Sequence, residues 1–260
     1  IIHGGLRFLK SLSFMRLVEA GREQRELLDE AGNFLRMLPF LMPLEPRGAR
    51  SRPPLIAAGA LFGLLTGWRV PCRVITAEQA RSAYGIAPEL APLGAFVWHD
   101  AIIEDLRGFH DYLRGKLQAQ GVDVWEDCSA EEVIQQESRV LINFQQADCP
   151  ALSCSFVIEA LGPWAEKLGH IKGQRWGKAF NAVSARKLLD SAGLVLQSRS
   201  RSLVLLPRGP YSVLGTWYEP LDACEPQAVP SQAAVLRLID AWNAAAVKSM
   251  RLALDDVQAL

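Results

Sequence analysis

The chain has 260 residues, half of them hydrophobic, which is enough to bury a substantial core in about two subdomains. Lys+Arg and Asp+Glu each total 28, so no global charge draws the chain to nucleic acid or to an anionic membrane, and no nucleic-acid partner is expected. The five cysteines (Cys72, Cys128, Cys149, Cys154 and Cys224) lack zinc or redox spacing and read as reduced thiols of a cytoplasmic protein with no metal site.

The first stretch, IIHGGLRFL, sets two glycines behind His3 and an arginine, Arg7, two residues later. Glycines suit a backbone that passes close to a flat or large group, and a guanidinium suits a fixed anion; an ordinary tight turn is the alternative. Helical spacing of Phe14, Leu17, Val18, Leu27 and Leu28 predicts a helix with Ser13 as N-cap and Gly32-Asn33 as its stop. MLPFLMPLEPRGARSRPP, with five prolines, reads as an extended, turn-rich lead into a short apolar helix near 55–66. That apolar run is too short to span a bilayer and reads as a buried or interfacial helix. Thr76 caps another short helix, GAFVWHDAII is β-rich, and EDLRGFHDYLRGKLQAQG is an amphipathic helix ending at Gly121. Two or three strands follow, then SCSFVIEALGPW reads as a buried strand entering a Gly-Pro turn. AFNAVSARKLL, LVLQS, SLVLLPR and YSVLGTW read as antiparallel strands, the first at an edge, before a final helix capped by Ser231 and running to about 249. His99, His110 and His170 share no metal-ligand spacing and read as structural or surface residues.

Several of these stretches carry a resemblance. IIHGGLRFL is similar to the Ile-His-Gly-Gly-Leu-Arg-Tyr-Leu segment of FAD-dependent glycerol-3-phosphate dehydrogenases, which are DAO-type flavoproteins. HDAIIEDLRGF resembles that family's Asp-Asp-Ala-Arg-Leu segment, VIEALGPW its Asn-Ala-Thr-Gly-Pro-Trp strand end, and LLPRGPYSVLGTWYEP the strand pair ending in Gly-Thr-Thr-Asp. The chain departs from the pattern at Phe8 (Tyr in the family), Glu159 (Asn) and Leu161 (Thr), and Asn181 lies where the family's Lys-Gly-Ser-His strand carries a histidine near the substrate.

The resemblance implies an α/β (α+β) fold in which a Rossmann-like FAD-binding domain interleaves with an antiparallel substrate domain. On this reading residues 1–38 and 104–170 form part of the FAD domain, and 39–103 and 171–250 form the substrate or cap domain. His3, Gly4, Gly5, Ala130, Gly162 and Pro163 would contact FAD; Arg7 and His3 would be catalytic; Arg7, Asn181 and Arg208 would face the substrate. Asp100, Asp105 and Arg107 read first as a salt-bridged helix start. The implied reaction is oxidation of sn-glycerol 3-phosphate, a small anionic substrate, to dihydroxyacetone phosphate. Electrons would pass to a quinone or other acceptor, in a cytoplasmic protein that contacts the membrane peripherally. The alternatives are an FAD-dependent oxidase or dehydrogenase for another small hydroxy acid or amine, and a degenerate non-catalytic relative.

No Gly-x-Gly-x-x-Gly fingerprint occurs in the chain, which reads as the middle of a longer protein. A dinucleotide's pyrophosphate needs helix N-terminal N–H groups and close glycine backbone. These 260 residues alone are therefore expected to bind FAD weakly or not at all, as read by flavin absorbance after gel filtration. A yellow, stoichiometrically loaded preparation of this chain would overturn that expectation.

Overall fold

The structure, a computed structural model, describes residues 1–68, 70–164, 175–198, 201–223 and 229–260; His170 and Cys224 lie outside them. In chain order a 3-10 turn at Leu6–Leu9 leads into α1 (Phe14–Ala31), β1 (Leu35–Pro43), α2 (Arg52–Leu65), β2 (Arg73–Ile75), α3 (Ala77–Tyr84), β3 (Ala95–Ile103) and α4 (Leu106–Ala119). Strands β4 (Ala130–Gln135), β5 (Val140–Phe144) and β6 (Leu152–Cys154) follow, then a 3-10 turn at Gly162–Trp164. The chain ends with β7 (Trp176–Ser184), β8 (Gly193–Ser198), β9 (Arg201–Arg208), β10 (Tyr211–Leu221), α5 (Gln232–Asn243) and β11 (Val257–Ala259).

Local chemistry explains several boundaries. Thr76 and Gln79 form a reciprocal capping box at the start of α3, and Gly85, at φ +68°, ends that helix in the left-handed region. Ser231 accepts from the Ala234 amide at 3.2 Å and starts α5. α5 stops at Asn243, short of the expected 249, because the Asn243 side chain turns to pair with Leu252, donating to its carbonyl at 2.7 Å and accepting from its amide at 2.8 Å. Prolines 53 and 54 sit in the first turn of α2, where a missing N–H costs nothing.

Eight strands form one mixed sheet in the order β11-β7-β10-β9-β8-β1-β3-β2, and β4-β5-β6 form a separate antiparallel sheet. β8 meets β1 in parallel through Phe40–Gly193 and Leu41–Leu194, whereas β1–β3, β2–β3, β8–β9, β9–β10 and β7–β11 are antiparallel. β7 is therefore not the edge strand its sequence implied, since β11 pairs outside it.

By contacts the chain forms two compact units. The first comprises Ile1–Tyr112, Ala179–Trp217 and Pro230–Leu260; the second comprises Leu113–Lys178 and Tyr218–Val229. In the first unit, one face of the sheet packs Leu41, Val97, Leu194, Leu203, Leu205 and Leu214 together with Leu238 and Trp242 of α5. Trp242 is fully buried, and its indole N–H is satisfied by the Met250 carbonyl at 2.8 Å.

The second unit has a thin core: Val140 is the one buried hydrophobic residue among its described residues. SCSFVIEALGPW departs from its expectation here. Only Leu152–Cys154 pairs as a strand, with β5, and Phe156 and Ile158 stand 86% and 92% exposed because no further strand is registered against them among the described residues. The reduced-thiol expectation is also corrected for one pair, since Cys128 and Cys149 form a disulfide with Cα atoms 6.2 Å apart. The physical reason is the antiparallel register. Ala130 pairs with Phe144, and the Gln145 amide donates to the Ser129 carbonyl at 2.9 Å, so the chain leaving β5 returns beside the chain entering β4. Cys72 and Cys154 are free, and burial pushes the Cys72 thiol up to about 11.

A cross-link closing a loop of 21 residues stabilises by about 3 kcal/mol through the unfolded state. Cys128→Ser is expected to weaken the β4–β5–β6 sheet by roughly that amount, seen as faster amide exchange at residues 130–144 with exchange at α5 unchanged. Unchanged exchange at 130–144 would show that the cross-link carries no stability.

Candidate functional site around His3 and Asp100

The amino-terminal segment docks on the part of β3 that β2 leaves uncovered. Ile2 and Ala101 exchange backbone hydrogen bonds of 2.7 and 3.0 Å, which fixes the register of the residues that follow. Asp100, 5% exposed, then accepts three donors: the Gly4 amide at 2.7 Å, His3 Nδ1 at 3.1 Å and Trp98 Nε1 at 3.1 Å. A carboxylate removed from water needs such partners, and together they hold the segment to the sheet. Trp98 is held in turn by stacking on Phe40 and Phe96, with ring centroids 5.6 and 6.0 Å apart.

From the other side α1 packs against the glycines. A side chain on Gly5, whose φ is +95°, would collide with the Leu17 carbonyl oxygen, and one on Gly4 would press on the Gln24 amide. Gln24, itself buried, donates to the Ile2 carbonyl at 2.8 Å. The close approach that the glycines serve within this chain is thus to α1. His3 differs from its neighbours: with Nδ1 on Asp100, its side chain remains 40% exposed. If Nδ1 carries the proton shared with Asp100, Nε2 is left as an acceptor.

Arg7 is exposed in the 3-10 turn just beyond, its guanidinium 5.7 Å from the Phe8 ring centroid, and it pairs with no carboxylate among the described residues. Phe8 packs half-buried against the Leu17, Phe62 and Val70 cluster. Asn181, in β7, accepts from the Thr216 hydroxyl at 3.0 Å, and only a glycine at 215 leaves its side chain room. Arg208 donates to the carbonyls of Ile103 and Glu104, the latter at 3.0 Å, and so fastens the end of β3. The structure brings His3, Gly4, Gly5 and Arg7 into one short, firmly anchored segment.

The remaining residues expected to contact FAD belong to the second unit. Ala130 opens β4 opposite Phe144, and Gly162, at φ +53°, begins the 3-10 turn that contains Pro163. Asp105 stands at the start of α4 and accepts from the Gly108 amide at 2.9 Å, but the expected salt bridge with Arg107 does not form among the described residues. Asp100 stands within β3 instead, although sequence reasoning grouped it with that helix start. The available signal was an acid among Phe96, Trp98 and Ile102, the apolar residues that alternate onto its face of β3. His99 Nδ1 donates to the Pro71 carbonyl, 3.1 Å away, and lines clefts of about 280 and 450 Å³ in the first unit.

A family model described as FAD dependent oxidoreductase, DAO, matches residues 1–236. The chain is 25% identical over 238 residues to a glycerol-3-phosphate dehydrogenase of Mycobacterium leprae, covering 83% of this chain and 39% of that protein. Among solved structures it is similar to the glycerol-3-phosphate dehydrogenase of Bacillus halodurans complexed with FAD, at TM-score 0.62 and 17% identity, covering 91% of this chain and 45% of that one. It is also similar to the FAD-bound L-α-glycerophosphate oxidase of Mycoplasma pneumoniae, at TM-score 0.65 and 12% identity, covering 91% and 64%. The chain thus spans well under half the length of the curated relative it matches.

Removing the Asp100 carboxylate strands the buried Gly4 N–H and frees His3. Each stranded donor costs about 1–3 kcal/mol, so Asp100→Ala is expected to lower stability by about 2–4 kcal/mol in denaturant unfolding. A loss below about 0.5 kcal/mol, the usual limit for a surface substitution, would show that the three hydrogen bonds do not anchor the segment.

Proposed function

This chain belongs to the DAO family of FAD-dependent oxidoreductases, and on that premise we propose that it serves the oxidation of sn-glycerol 3-phosphate to dihydroxyacetone phosphate, with electrons passing on to a quinone at the membrane surface. The observation that carries the reading is the clasp of Asp100 on His3 and Gly4, which fixes an exposed imidazole and an exposed guanidinium within five residues of each other. The cofactor fits this segment. Its backbone is held from behind by β3 and α1, while His3 and Arg7 remain open to a ligand. Bound FAD supplies the two-electron acceptor for the substrate's carbon-bound hydrogen.

The chain's own residues do the rest. His3, oriented through Nδ1 by Asp100, takes the substrate's hydroxyl proton at Nε2. Arg7 offers its planar fork to the phosphate and sets the distance from that anion to the carbinol. His3, Gly4 and Gly5, with Ala130, Gly162 and Pro163, are the residues proposed to line FAD, within segments 1–38 and 104–170. Segments 39–103 and 171–250 are proposed to face the substrate. One departure favours a second reading. Asn181 replaces the family's histidine and is engaged by Thr216, which points to another small hydroxy acid or amine as the substrate.

Arg7→Lys in the full-length protein keeps the charge and removes the fork. A lost charge-assisted hydrogen bond is worth about 1.5–3 kcal/mol, so kcat/KM for glycerol 3-phosphate is expected to fall about ten- to hundredfold with flavin content unchanged. Kinetics within about twofold of the unaltered protein would place Arg7 in a surface role. No turnover of glycerol 3-phosphate by the unaltered protein, alongside turnover of another hydroxy acid or amine, would select the second reading.

A further inference from the structure

We propose that the two adjoining clefts around His99 form a binding site for a small planar aromatic anion, separate from the His3 segment. β2 and β3 run antiparallel with Arg73 opposite Val97, and alternation along β3 brings His99 onto the face that Val97 occupies. Asp100, with His3 and Gly4 docked on it, lies on the other face of the strand, so the two sites stand back to back. The larger cleft, about 450 Å³, has Trp68, Arg73, Tyr84 and His99 in its wall; the smaller, about 280 Å³, has Arg25, and His99 lines both. Small-molecule sites fall in the range of about 300–1,000 Å³, and the larger cleft lies within it.

The walls select charge, direction and shape. Among the described residues no Asp or Glu lines either cleft, while each cleft has a guanidinium, and neither Arg25 nor Arg73 pairs with a carboxylate. Guanidiniums left open at a cleft wall suit an anion with planar oxygens. With Nδ1 donating to the Pro71 carbonyl, the neutral His99 ring keeps Nε2 as an acceptor, so a hydroxyl or amino group on the ligand has a partner there. Trp68 calls for a flat ring. Its backbone is left-handed, φ +57°, which is rare for a bulky residue, and its amide donates to the Gly63 carbonyl at 2.6 Å. The indole occupies the space that a side chain at Gly63 would need, yet it stays 68% exposed, which leaves surface on which a ligand can stack. Strained residues of this kind collect at ligand sites. The ligand is thus an aromatic carboxylate or phosphate that also carries a hydroxyl or amino group.

Binding here involves no turnover, so it stands or falls apart from the proposed function. The test is equilibrium dialysis of the FAD-loaded, full-length protein against 4-hydroxybenzoate and against adenosine monophosphate, with neutral 4-hydroxybenzamide and adenosine as their counterparts. At least one anion is expected to bind saturably with Kd below about 1 mM, and its neutral counterpart at least about tenfold more weakly. Binding of the first alone assigns the site to a carboxylate, and of the second alone to a phosphate. Trp68→Gly removes the ring and keeps a residue suited to the left-handed backbone; it and Arg73→Gln are each expected to weaken binding about tenfold with melting temperature unchanged. Arg73 is exposed on an edge strand, so its variant carries the test should Trp68→Gly fail to fold. Arg7→Lys should bind as the unaltered protein does, which separates this site from the one proposed for the substrate's phosphate. No saturable binding of either anion up to about 10 mM would overturn the proposal. So would equal affinity for the neutral counterparts, a folded Trp68→Gly or Arg73→Gln protein that binds like the unaltered one, or loss of binding in Arg7→Lys.

Discussion

A carboxylate buried beneath an apolar strand face must be met by donors, and Asp100 draws its three from places far apart in sequence. Because one donor is the Gly4 amide, residues 1–5 must lie along β3. Because α1 then packs over the same residues, side chains at 4 and 5 are excluded, and Gln24 is committed to the Ile2 carbonyl. The aromatic stack of Phe40, Trp98 and Phe96 follows from the same requirement, since the indole N–H has to reach Oδ2. Few freedoms remain in this segment apart from the outward edge of the imidazole and the Arg7 side chain. Such preorganisation suits a site that must hold a reacting group in place before the substrate arrives.

The two units are stabilised by different means. In the first, a broad sheet face and α5 bury large side chains down to Trp242, and hydrophobic transfer dominates. In the second, three short strands bury little, and a covalent cross-link makes up part of the deficit, as it does in small domains generally. The same contrast explains why the cysteine chemistry is divided. Cys72 lies in an apolar setting that disfavours its thiolate, whereas Cys128 and Cys149 are brought together by a hairpin.

Where a structural decision is local, the sequence announces it. Thr76 with Gln79, Ser231, and the glycines at 85 and 121 mark helix ends because each satisfies or releases backbone groups within a few residues. Decisions made across the chain are not announced. Alternation shows that β7 has two faces but cannot show that β11 will cover its edge. The apolar letters of 155–161 look like a buried strand, yet burial depends on a neighbour that the letters do not contain. The pairing of Cys128 with Cys149 depends on a hairpin register, and the role of Asp100 depends on where residues 1–5 dock. The His-Gly-Gly-Leu-Arg segment was legible through its likeness to a family; the residue that anchors it was legible only as an acid out of place.

The seam between β1 and β8 has a consequence for synthesis. Phe40 and Leu41 find their parallel partners only at Gly193 and Leu194, and until those residues leave the ribosome the inner edge of β1 has no ladder to complete. The antiparallel pair of β1 and β3 can form early, but one of its faces waits for β8, β9 and α5, which lie in the last third of the chain. Closing a loop of that length carries a substantial entropic cost and slows folding. The nascent chain therefore carries an apolar sheet edge from the translation of β1 to that of β8, and this is the interval in which that edge is most exposed to pairing with a neighbour and most in need of chaperone cover.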